Sequence, residues 1–109
     1  MKAVVIRSDC RVFTVDFEKH NAYDVLSDAV GGLIEHVDLP GSSVSMYVNE
    51  EGKLKRMSFN QIATDLWEIS WGMTDMIVGD VILTGGSDDD GEELGLSDEL
   101  VSQLLLLSC

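Results

Sequence analysis

Of 109 residues, one is proline, two are cysteine and seven are lysine or arginine. A single proline beside 45% apolar residues excludes a low-complexity, disordered chain. Two cysteines, Cys10 and Cys109, are too few for a disulfide framework or a thiolate metal site, and two reduced thiols are expected. Seven bases against twenty acids leave a formal charge of -13, which excludes a basic nucleic-acid binder because phosphate contacts need Lys and Arg. No uninterrupted apolar run is longer than the four residues Leu104 to Leu107, against ~20 for a membrane-crossing helix. Arg7 cuts short the run Val4-Val5-Ile6, where a secretory signal would need roughly 7–15 apolar residues. The expectation is a small, acidic, cytoplasmic domain with no membrane partner.

The charge that is present is unevenly placed. All seven bases lie in the first 56 positions, beside nine acids, whereas residues 57–109 hold eleven acids and no base. Such a half either keeps the chain soluble or meets a basic partner surface.

Apolar periodicity divides the chain into short elements. Ala3 to Ile6 and Val12 to Phe17 read as a hairpin, and Asn21 as the cap of a helix that ends at Gly31-Gly32. Leu33 to Leu39 and Val44 to Val48 alternate as strands around the turn signal Pro40-Gly41-Ser42. Glu50-Glu51-Gly52 is expected to be a tight loop, with Gly52 at positive φ and Lys53 to Met57 as a return strand with Leu54 inward. Ser58 and Gln61 form a capping-box pattern for a second helix with Phe59, Ile62, Ala63, Leu66, Trp67 and Ile69 on its apolar face and Gly72 at its end. Met76 to Leu83 is a broken strand, and Ser97 caps a last helix with Leu100, Val101, Leu104 and Leu105 inward. Residues 85–96 form a polar loop containing Asp88-Asp89-Asp90-Gly91-Glu92-Glu93. The whole describes one α+β domain over residues 1–109, with a mostly antiparallel sheet and about three helices packed on it. Its opening order of hairpin, helix and strand is β-grasp-like.

Three runs also carry a resemblance. Ala29 to Glu35, Met46 to Leu54, and Asp75 to Gly86 with its acidic sequel, in that order, resemble the family called domain of unknown function 3846. Its members occur in bacteriophages, plasmids and bacteria, notably actinobacteria. The resemblance implies a phage or mobile-element protein acting inside a bacterial cell, and it supplies no catalytic residues.

Chemistry-bearing motifs are scarce. Aligned on Gly91, a calcium loop would place Gly86 and Ser97 where acids are needed, so two of four key ligands are missing. Gly85-Gly86-Ser87 lacks a phosphate-binding pattern and is followed by three repelling aspartates. His36 beside Glu35 and Asp38 has no second His or Cys at ligand spacing, and is expected to be an ordinary strand-surface histidine. Cys10 with His36, or Ser87 with His20, has no local catalytic signature. No catalytic, cofactor or metal residue is assigned.

Trp67 and Trp71, four apart on one helix face, are a core stripe or, if Trp71 is exposed beside Met73 and Met76, an interface anchor. The leading expectation is a non-enzymatic interaction protein that binds a basic host or phage protein through Trp71, Met73, Met76, Asp88, Asp89, Asp90, Glu92 and Glu93. The alternatives are a nucleic-acid mimic that blocks a DNA-binding host or defence protein, and a small-molecule-binding or catalytic domain without a recognisable motif. The four leucines near the end cover more than one helix face, which suggests a homodimer seam.

Overall fold

A computed structural model describes all residues, Met1–Cys109. Its centre is a five-stranded sheet in the order β2-β1-β5-β4-β3, built from β1 (Lys2–Ile6), β2 (Val12–Asp16), β3 (Ile34–Asp38), β4 (Ser45–Asn49) and β5 (Val81–Thr84). Every neighbouring pair is antiparallel. Helix α1 (Ala22–Val30) packs on one face, and α2 (Gln61–Trp71) and α3 (Asp98–Leu104) on the other. The domain is α+β.

Two apolar clusters follow from the strand period of two. Ala3, Val5, Tyr47 and Ile82 point towards Ala22, Leu26 and Val30 of α1. Val4, Ile6, Met46, Val48, Val81 and Leu83 point the other way, towards Ile62 and Ala63 of α2 and Val101 and Leu104 of α3. The three inner strands are therefore covered on both faces, which explains why Ala3 to Ile6 and Val81 to Leu83 are unbroken apolar runs. The outer strands β2 and β3 are only partly buried and carry the polar alternation.

Several local expectations hold. Gly31 ends α1 in the left-handed region, with φ of 79°, and Gly72 ends α2 with φ of 72°. The Ser97 hydroxyl accepts the Leu100 N–H at 3.2 Å and caps α3. Asn21 stands at the start of α1, but its side chain reaches back to the Glu18 N–H and closes a short 3-10 turn over Lys19–Asn21.

Others are corrected. Residues 53–57 form no return strand, because the edge of β4 away from β3 already belongs to β5. The chain instead coils, with Lys55 N–H bonding the Glu51 carbonyl at 2.9 Å and Met57 N–H bonding that of Gly52 at 3.0 Å. Leu54 is 85% exposed, not inward. Arg56, with φ of 54°, takes the left-handed conformation expected of Gly52. Gly52 is needed for close approach instead, since a Cβ there would meet Val78 Cγ2 at 3.1 Å.

The cap of α2 is Asn60, two residues beyond Ser58. Phe59 is held in an extended bridge with Val78, so the chain cannot turn helical at Ser58. Asn60 is fully buried; its Oδ1 accepts from Ala63 N–H at 3.0 Å, and its Nδ2 donates to the carbonyls of Ile6 and Gly79 at 3.0 and 2.9 Å. One amide thus starts α2 and ties it to the end of β1. Phe59 and Ile69 are exposed, leaving α2 a narrower apolar stripe than the pattern suggests.

The cysteines are also corrected: Cys10 and Cys109 are joined in a disulfide, their Cα atoms 5.8 Å apart. Helix α3 packs against β1, and the segment after it carries Cys109 back to the turn between β1 and β2. Beyond Val101 and Leu104, which are buried, Leu107 is partly buried against the core, whereas Leu105 and Leu106 face outwards.

Candidate functional site

The eight residues expected to form one contact surface separate into two places. Trp71 and Met76 line a cavity of about 390 Å³, and no residue of the acidic loop reaches it. Met73 is 89% exposed and lies outside the lining.

The acidic segment is an ordered small hairpin. Gly85 N–H bonds the Leu94 carbonyl at 2.9 Å, Leu94 N–H that of Gly86 at 2.8 Å, and Ser87 bridges to Glu93. Only glycine fits at its neck, because a Cβ on Gly85 would stand 2.3 Å from the Gly95 carbonyl oxygen. Two of its carboxylates point inwards. Asp88 accepts the backbone N–H groups of Asp90 and Glu92 at 2.9 and 3.0 Å, and stands 3.8 Å from Lys19 Nζ. Glu93 accepts the Tyr47 hydroxyl, the Thr84 hydroxyl at 2.9 Å and the Ser87 hydroxyl at 3.4 Å. Burial, followed by the Glu93 carboxylate beside it, pushes the Tyr47 phenol far above its ordinary range. Glu93 is thus a fastening between loop and sheet. Asp89, Asp90 and Glu92 remain exposed.

The cavity lies beneath the end of α2. Val37 and Val48 belong to the sheet face that α2 covers, Trp67 and Trp71 come from the helix, and residues 53–54 and 75–78 complete the wall. The two indoles stack, with centroids 5.5 Å apart and planes inclined by 27°. Trp71 is 44% exposed and its Nε1 donates to the Asp38 carbonyl at 2.8 Å. Trp67 Nε1 is buried with no protein acceptor.

Four acidic residues, Glu35, Asp38, Glu50 and Asp75, border the cavity beside one ammonium, Lys53; because Val37 faces α2, strand alternation turns the Asp38 carboxylate to the other face and Asp38 presents its backbone carbonyl here. Lys53 Nζ lies 2.5 Å from Asp75 Oδ1, and this contact, with the Met76 N–H at 2.8 Å, holds the Asp75 carboxyl below the usual carboxylate range. Glu35, Asp38 and Glu50 make no ion pair. The arrangement can hold a cation against an aromatic wall. His36 also borders it, its ring tilted by 49° against that of Tyr47 with centroids 5.3 Å apart.

The i,i+4 tryptophans signalled this site in the sequence, and Glu35 and Asp38 stood out only as neighbours of His36, whereas nothing linked them with Glu50, Lys53 and Asp75. They come from three separate stretches that converge only when α2 crosses the β3–β4 hairpin. No group of three His, Cys, Asp or Glu side chains is placed to hold a metal ion. No helix is long and apolar enough to cross a membrane.

No curated protein and no solved structure matches the chain. A family model described as Domain of unknown function (DUF3846) matches residues 1–107, nearly the full length, and the chain belongs to that family.

Proposed function

We propose that the protein is a non-enzymatic binding module that takes a basic side chain of a partner protein into the cavity under α2. The observation that carries this reading is the stacked Trp67–Trp71 pair in a cavity wall that also includes Glu35 and Glu50, two acids without a cationic partner. A guanidinium or ammonium there meets both the aromatic face of Trp71 and carboxylates that are solvent-exposed, so the electrostatic part of the attraction is screened by salt. Asp89, Asp90 and Glu92 act at longer range, raising the encounter rate of a positively charged protein without touching it.

Both tryptophans line the cavity, so intrinsic fluorescence reports its occupancy. Titration with an arginine-containing peptide is expected to give a saturable change that weakens as salt rises. Trp71→Ala should weaken binding by about 2- to 30-fold, from a cation–π contribution of roughly 0.5–2 kcal/mol. An acidic peptide of the same length should not bind. Equal responses to the acidic and basic peptides, or none to either, would overturn the proposal.

A further inference from the structure

Four consecutive residues of β3, Glu35 to Asp38, border the cavity, and β3 is an end strand of the sheet. The pairing register tells which of its backbone groups are free. The Leu33 carbonyl accepts the Glu50 N–H at 2.9 Å, and the β3–β4 register continues through Ile34↔Asn49 to Asp38↔Ser45. In an antiparallel ladder, hydrogen-bonded and non-bonded pairs alternate. Leu33, Glu35 and Val37 therefore direct their N–H and C=O groups at β4, whereas Ile34, His36 and Asp38 direct theirs outwards. Two contacts fix this phase independently. Trp71 Nε1 reaches the Asp38 carbonyl from outside the sheet, and the His36 ring lies in tilted contact with Tyr47, as expected of a non-bonded pair, whose side chains lie closer.

We infer that an extended basic segment of a partner protein adds to the sheet as a sixth strand along β3, pairing with Ile34 and His36 and placing an Arg or Lys side chain between Trp71 and Glu35. This rests on the cation-binding reading of the cavity and specifies the backbone that delivers the cation. The outward N–H and C=O groups of Ile34 and His36 offer four hydrogen bonds. Trp71 closes the Asp38 end and so sets where the guest strand stops.

Charged edge strands commonly serve to prevent pairing. Here the charge also selects. Glu35 and Asp38 lie on β3 itself, and the chain carries a formal charge of -13, so a second copy is repelled while a strand bearing Arg or Lys is attracted. Strand alternation then puts every second guest side chain on the face of α2, where the cavity lies, and gives the intervening ones to the His36 face.

The test uses the full chain, a short peptide with arginine at alternate positions, and two N-methylated versions. In one, methyl groups replace the amide hydrogens that would face β3; in the other, those that would face away. N-acetyl-arginine amide probes the cavity without a strand. Expected results are binding of the parent peptide, a loss of at least tenfold for one methylated version only, and slowed exchange of the Ile34 and His36 amides in the complex. If both methylated peptides bind as the parent does and those amides exchange unchanged, strand addition is refuted while uptake of the cation stands. If neither the peptides nor the arginine amide changes the fluorescence, the cavity reading itself fails.

Discussion

Replacing Glu93 by alanine separates a carboxylate that holds the fold from one displayed for a partner. Its oxygens accept three hydroxyls, but the bond to Ser87 is long and exposed and contributes little. The bonds from Tyr47 and Thr84 matter more, because Tyr47 is only 7% exposed and Thr84 is fully buried. Hydrogen bonds to a charged group contribute about 1.5–3 kcal/mol, and a buried hydroxyl stripped of its acceptor costs roughly 1–3 kcal/mol. Allowing for overlap between these, Glu93→Ala should lose about 2–4 kcal/mol in urea unfolding followed by circular dichroism. Tyr47→Phe removes donor and hydroxyl together and should lose about 1–2 kcal/mol. The double variant should lose less than the two single losses combined, by about 1 kcal/mol, since both act on the same bond. Neutralising Asp89, Asp90 and Glu92 with amides should change stability by less than about 0.5 kcal/mol. A Glu93→Ala protein as stable as the parent would refute the assignment of Glu93 as a fastening.

The raised Tyr47 pKa has a definite sign: between pH 10 and the higher folded value the unfolded chain loses a proton that the folded chain keeps. This contribution is thus complete below pH 10 and is lost as pH rises towards the folded value. Alkaline unfolding curves should show the fall, and Tyr47→Phe should reduce it. Asn60→Ala removes the cap of α2 and leaves the Ile6 and Gly79 carbonyls without their donor, so a loss of about 3 kcal/mol is expected by chemical denaturation. Reducing the Cys10–Cys109 bond, which closes a loop of 99 residues, should cost up to about 4.7 kcal/mol, read as a fall in Tm of roughly 4–8 °C per kcal/mol. An unchanged Tm in dithiothreitol would show that the bond contributes nothing.

Local chemistry was legible wherever it was decided locally. Gly31 and Ser97 mark helix ends through bonds to residues within four positions, and the alternation in residues 34–38 marks an outer strand. What failed was decided by distant chain. Lys53 to Met57 has a plausible strand pattern, but β5, arriving from residues 81–84, takes the edge it needed. Ser58 has a better capping motif than Asn60, yet the bridge from Phe59 to Val78 keeps Ser58 extended. The same holds for the site. Trp71 and Met76 were singled out from composition, whereas the carboxylates beside them lie on strands and turns that only tertiary packing brings together. Of the residues grouped in the sequence, Trp71 and Met76 line the cavity, and no residue of the acidic hairpin does.

Strand β5 is among the last elements in chain order, yet it lies at the middle of the sheet. During synthesis on a ribosome, the hairpins β1–β2 and β3–β4 emerge early and can zip locally, but no strand joins them into one sheet until residues 81–84 appear. Until then each hairpin leaves an inner margin unsatisfied, a template for wrong partners and a natural client for a chaperone. A premature stop between Asn49 and Val81 would therefore yield two hairpins without the strand that unites them in one sheet, rather than a shortened working protein.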